Sequence, residues 1–114
     1  MPVVRSQGVD IAYWRDGTGV PVVWIQGLNA DHTAWLSQVT AFRDEFDCIA
    51  LDNRDVGRSG RATGAYSLAE MADDVRAVLD DAAVLDAHTV IVPDREVVFA
   101  AHPRTRELST AIGW

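Results

Sequence analysis

Val22-Val23-Trp24-Ile25-Gln26-Gly27-Leu28-Asn29 opens on four apolar residues and closes on a glycine and an asparagine. A strand with one wet face alternates apolar and polar side chains, so the unbroken run Val22 to Ile25 reads as a strand buried on both faces of a sheet. Helices must then cover those faces. Upstream, Pro21 and the turn signal Asp16-Gly17-Thr18-Gly19 separate this run from Val9-Asp10-Ile11-Ala12-Tyr13-Trp14, a β-prone segment expected to be its neighbour in the sheet.

Downstream, Trp35, Leu36, Val39, Phe42 and Phe46 recur at helical spacing, which predicts a first crossover helix. Cys48-Ile49-Ala50-Leu51 is a third apolar run, followed by a loop, Asp52-Asn53-Arg54-Asp55-Val56-Gly57-Arg58-Ser59-Gly60, rich in glycine and in side chains that bond to backbone. A second helix is marked by a capping box, Ser67 with Glu70. Its apolar stripe is Leu68, Met71, Ala72, Val75, Val78, Leu79 and Ala82, with Asp73, Asp74, Arg76, Asp80 and Asp81 assigned to the water face. Thr89-Val90-Ile91-Val92 is a further strand. Strand, helix, strand, helix, strand implies an α/β fold with a mainly parallel sheet and right-handed crossover helices.

The chain has 114 residues and a net charge of -7, and it reads as a single domain spanning 1–114, without repeats or linkers. Its ten basic residues, all arginine, do not form the cluster that neutralising phosphates requires, so no nucleic acid and no polybasic membrane contact is expected. No run approaches the roughly 18 apolar residues of a spanning helix, and no signal-peptide core precedes Asp16. Those features predict a cytoplasmic protein acting on a small-molecule substrate. The lone Cys48, inside an apolar run, reads as a buried structural thiol. No strand is followed by G-x-G-x-x-G or a P-loop, and neither a cofactor nor a metal is expected; His32 and His88 stand singly, without ligand partners.

Two loops at strand ends carry a resemblance. Ile25-Gln26-Gly27-Leu28-Asn29 with Trp35 further on is similar to the oxyanion-hole turn of the α/β-hydrolase fold family, whose strand ends in His-Gly or, in some members, Gln-Gly. The segment Asp52 to Ser59 resembles that family's D-x-R-G-x-G-x-S loop, with Asp55 in place of the first glycine. The resemblance covers about residues 8 to 92, the N-terminal portion of the fold. It implies a hydrolase of the esterase or enol-lactonase kind, acting on carboxylic esters or lactones through a serine nucleophile. It also implies that Gly27 and Leu28 form the oxyanion turn, with the Leu28 N–H as donor to the developing negative charge. Asp52, Arg54 and Ser59 are expected to support their loop through hydrogen bonds rather than to touch substrate. Ser59 is not the nucleophile, because Gly57-Arg58-Ser59-Gly60 misplaces the second glycine of G-x-S-x-G and no helix pattern follows.

The nucleophile elbow should follow Val92, yet no serine and no glycine occurs between Thr89 and His102. Asp94 is the one residue there that could stand as a nucleophile, since aspartate serves that role in some members; a loop carboxylate or helix cap is the plainer reading. His102, in Ala101-His102-Pro103, is read as structural. The helix ending near Asp81 also lacks the usual terminal glycine. These features predict a truncated family member with its elbow lost by deletion or frame disruption, inactive by itself or serving as a non-catalytic binding module. An open sheet edge after Val92 would favour self-association.

Overall fold

A computed structural model of the chain describes residues 1–26, 30–91 and 105–107. Its strands are β1 (Val3–Ser6), β2 (Val9–Asp16), β3 (Val20–Ile25), β4 (Phe46–Leu51), β5 (Ala87–Ile91) and β6 (Thr105–Glu107); its α-helices are α1 (Leu36–Phe42) and α2 (Leu68–Asp81). They build a six-stranded sheet in the order β1-β2-β4-β3-β5-β6. The β3–β4, β3–β5 and β5–β6 pairs are parallel, while β1–β2 and β2–β4 are antiparallel. The α/β class with crossover helices therefore holds, in a mixed sheet.

The sequence places β2 beside β3; the structure puts β4 between them. Tyr13 through Asp16 pair with Leu51 through Cys48, and Val20 through Trp24 pair with the other edge of β4. The short connection from β2 to β3 must therefore pass the start of β4 at close range. Gly17 and Gly19 permit it. Each has positive φ, and a Cβ on either would lie 2.2 Å from a carbonyl oxygen, of Phe46 and Glu45 respectively. The Asp16-Gly17-Thr18-Gly19 turn is thus a strand crossing rather than a hairpin.

The first helix is shorter than its periodicity suggests. A 3-10 turn, His32–Trp35, precedes α1, the chain leaves the helix after Phe42, and Phe46 opens β4. Phe42 and Phe46 nonetheless remain together, with ring centroids 5.9 Å apart, so the apolar spacing reflects a shared contact across a helix–strand junction. β1 lies outside the elements that the sequence pattern predicts. It folds back on β2 through Gln7-Gly8, both at positive φ, as a two-residue hairpin turn demands.

Alternation along the inner strands sends side chains to two cores. Val23, Ile25, Ile49 and Leu51 pack with Val75, Val78 and Leu79 of α2, while Val22, Trp24, Cys48 and Ala50 pack with Trp35. Cys48 is buried, and burial pushes its thiol pKa up, as expected of a structural cysteine. The capping box at the start of α2 is formed by Ser67 and Glu70. At its other end the missing glycine is replaced by Ala83 at φ +58; Ala83 N–H donates to Asp80 O and Val84 N–H to Leu79 O. This is the hydrogen-bond pair of a Schellman cap, built on an alanine held in a conformation glycine adopts more cheaply. β6 pairs with β5, so the sheet edge expected after Val92 carries a further strand. Among the described residues no helix is long and apolar enough to cross a membrane.

Candidate functional site

The parallel strands β3, β4 and β5 present their carboxyl ends together, the place where loops of an open α/β sheet gather chemistry. Gln26 directly follows β3 as a buried amide. Its Nε2 donates to the Leu51 carbonyl at 2.8 Å, which ties the residue after β3 to the last residue of β4; among the described residues its buried Oε1 has no partner. Gly27 and Leu28, the expected oxyanion turn, lie outside the described residues, as do Asp94 and His102.

The loop from Asp52 to Gly60 is laced to its surroundings at every turn. Asp52 is fully buried, and its carboxylate accepts three N–H groups: the His32 backbone and ring Nδ1 on Oδ1, at 2.7 and 2.9 Å, and the Arg58 backbone on Oδ2 at 2.9 Å. Gly57 sits at φ +54 where a Cβ would come 2.2 Å from Asp52 Oδ2, so the second glycine of the motif is the space in which the carboxylate lies. Asp55, standing where the family motif has its first glycine, still adopts φ +68. It offsets that strain by accepting from the Ala62 N–H at 2.7 Å.

Ser59 joins two elements. Its hydroxyl donates to Asp52 O at 2.5 Å and accepts the Ala12 N–H at 2.9 Å, where β2 runs past the end of β4. Gly60 N–H donates to Asp10 O nearby. Arg54 reaches the other way: its Nε and Nη2 donate to the two oxygens of Asp74, each at 2.8 Å, and Ser6 Oγ donates to the same carboxylate at 2.6 Å. That pairing holds the Arg54 pKa up, and the Tyr66 ring packs 5.1 Å from the guanidinium. Burial, with Asp55 nearby, raises the Tyr66 phenol.

Asp74 therefore does not belong to the water face of α2; it is 1% exposed. Its spacing gave a signal, because Met71, Asp74, Val75 and Val78 stand on one face at i, i+3, i+4 and i+7. An acidic residue inside an apolar stripe marks a buried partner elsewhere, here Arg54, twenty positions away. His32 also has a partner that its sequence position did not reveal, the Asp52 carboxylate. The structure thus gathers Gln26, His32, Asp52, Arg54 and Ser59 at the strand ends, with His32 and Ser59 bonded to Asp52, Gln26 bonded to Leu51 and Arg54 bonded to Asp74. Among these residues no hydroxyl or thiol contacts an imidazole, as a nucleophile–base pair would.

A family model described as the alpha/beta hydrolase fold matches residues 20–92. The chain belongs to the alpha/beta hydrolase family. Among its relatives is a protein of Azorhizobium caulinodans assigned as the carbamate hydrolase RutD, 34% identical over 100% of this chain and 45% of the relative. The chain thus spans under half of that hydrolase's length. Of solved structures, Est816, an N-acyl homoserine lactone degrading enzyme, superposes with a TM-score of 0.75 at 38% identity, over 78% of this chain and 34% of Est816. The enol-lactonase of Burkholderia xenovorans LB400 shares the fold, with a TM-score of 0.76 at 24% identity, over 80% of this chain and 36% of the enzyme.

Proposed function

We propose that this alpha/beta hydrolase framework serves hydrolysis of carboxylic esters or lactones, and that residues 1–114 by themselves lack the nucleophile for it. The observation that carries the first half is the anchoring of Gln26 at the end of β3, directly before Gly27 and Leu28, onto the end of β4. A backbone N–H at Leu28 would then serve the oxyanion of a tetrahedral intermediate, and such a donor is worth on the order of a hundredfold or more in rate. Kinship with a lactone-degrading enzyme and a carbamate hydrolase favours an acyl-type carbonyl as the reacting group.

The second half rests on the sequence. Between Thr89 and His102 there is neither serine nor glycine, so the sharp strand-to-helix turn that exposes a nucleophile has no residues to build it. Asp94 is the remaining carboxylate at that position, and without flanking glycines we assign it no nucleophilic role. The test is hydrolysis of p-nitrophenyl acetate and of a γ-lactone by the purified chain, with Asp94→Asn and Ser59→Ala beside it. Rates equal to the protein-free rate are expected. Turnover that Asp94→Asn abolishes would make Asp94 the nucleophile and overturn the proposal.

A further inference from the structure

We propose that the cavity between β2, β4 and α1 binds a small neutral hydrophobe carrying one hydroxyl, with His32 Nε2 as the acceptor of its hydrogen bond. The cavity, of about 270 Å³, is lined by Trp14, His32, Leu36, Val39, Cys48 and Ala50. Trp14 pairs with Ala50 and Asp16 with Cys48 across the antiparallel ladder, so these side chains share the α1 side of the sheet. α1 has only seven residues, and its Val39 and Phe42 pack on the β3–β4 core, which leaves the β2 side of that face open. Leu36, on the cavity wall, is 59% exposed, a large apolar side chain that a ligand would shield from water. An apolar cavity of about 150 Å³ takes benzene, so this one has room for a ring with a short alkyl arm.

The acceptor follows from the way His32 is held. Its ring Nδ1 lies 2.9 Å from Oδ1 of the fully buried Asp52. A carboxylate only accepts, so Nδ1 carries the proton and Nε2 of the neutral ring keeps its lone pair. The Trp14 ring stacks on the imidazole, with centroids 3.3 Å apart and planes 11° from parallel, and fixes the plane in which that lone pair lies. Among the described residues nothing bonds to Nε2, and the side chain retains 19% exposure. The charged neighbours are already engaged. Arg15 gives its guanidinium to Asp47 and to the Ala82 carbonyl, and Asp16 stands 3.4 Å from Arg43. A charged ligand would lose its hydration without gaining a counter-ion, whereas a neutral hydroxyl meets an acceptor.

4-Propylphenol and its methyl ether test this by nuclear magnetic resonance of the nitrogen-15-labelled chain. They share ring and arm, but only the phenol can donate. The phenol is expected to bind with a Kd of about 1 mM, ordinary for a ligand of about ten non-hydrogen atoms, and to shift the His32 Nε2 and Leu36 amide resonances together. The ether should bind about tenfold more weakly, the value of one hydrogen bond. In His32→Phe, which keeps a ring against Trp14 but has no acceptor, that preference should vanish. A cavity that only takes up apolar surface would favour the more hydrophobic ether, so equal affinities or the reverse order in the unsubstituted chain overturn the proposal. It is equally overturned by a proton on His32 Nε2 in the free chain, by a preference that survives in His32→Phe, or by phenol binding that leaves His32 and Leu36 unmoved. Absence of saturable binding up to about 10 mM phenol does the same. Because turnover is not read, failure of the ester-hydrolysis reading leaves these outcomes intact.

Discussion

Replacing Asp74 by asparagine tests whether the loop after β4 is held from within the core of the fold. The carboxylate receives two N–H groups of Arg54 at 2.8 Å and the Ser6 hydroxyl at 2.6 Å, and the Arg54 and Asp74 side chains are 4% and 1% exposed. Asparagine keeps the shape but leaves a buried guanidinium whose other acidic neighbour, Glu70, stands 3.9 Å away and is partly solvated. Removing one partner of a buried pair costs about 3–5 kcal/mol, against a total of about 5–15 kcal/mol for a typical domain. With a urea m value near the middle of the usual range, about 2 kcal/mol per M, the midpoint should fall by about 1.5–2.5 M. Tryptophan fluorescence reads the transition, since Trp24 and Trp35 are fully buried. Asp10→Asn, which breaks the exposed Arg5–Asp10 pair, should stay within about 0.5 kcal/mol. The double variant Arg54→Met with Asp74→Leu should recover at least half of the single variant's loss, because no charge is then stranded. A loss under about 1 kcal/mol for Asp74→Asn, or a double variant no better than the single, would refute the reasoning.

Ala83→Gly should raise stability by about 0.5–1 kcal/mol, seen as a higher urea midpoint, because glycine relieves the positive φ that ends α2. Gly57→Ala should cost more than about 2 kcal/mol in the same assay, since its Cβ would meet Asp52 Oδ2 at 2.2 Å; it should also raise amide exchange at Arg58. Tyr13 is buried and donates to Asp81 at 2.7 Å; burial first, then that bond, raises its pKa from 10.0 to about 12. The folded state therefore holds the proton more tightly than the unfolded one. That stability is complete below pH 10 and is lost between pH 10 and 12, a fall of about 2 kcal/mol that Tyr13→Phe should abolish.

The local features of this fold were legible in the sequence because each depends on neighbours a few residues apart. The buried run at Val22 to Ile25, the Ser67–Glu70 capping box and the stripe through Val75 and Leu79 are of that kind. What stayed hidden was long-range. No periodicity tells β2 that β4, thirty residues on, will separate it from β3; the trace of that crossing is the pair Gly17 and Gly19, which reads equally well as a hairpin turn. Asp52, Arg54 and Ser59 were recognisable as loop-forming residues, but their partners His32, Asp74 and Ala12 come from three different elements. In the sequence, Asp55 stands in place of the motif's first glycine. The backbone there keeps the left-handed conformation that the motif's glycine would favour.

The claim that this framework is assembled while its nucleophile is absent is tested most directly by incubating the folded chain with a fluorophosphonate probe and weighing it intact. A serine activated on a strand-to-helix elbow would displace fluoride and keep the phosphonate. The account predicts a mass identical to that of the untreated chain. A stoichiometric adduct on Ser59, or on any other serine, would contradict it.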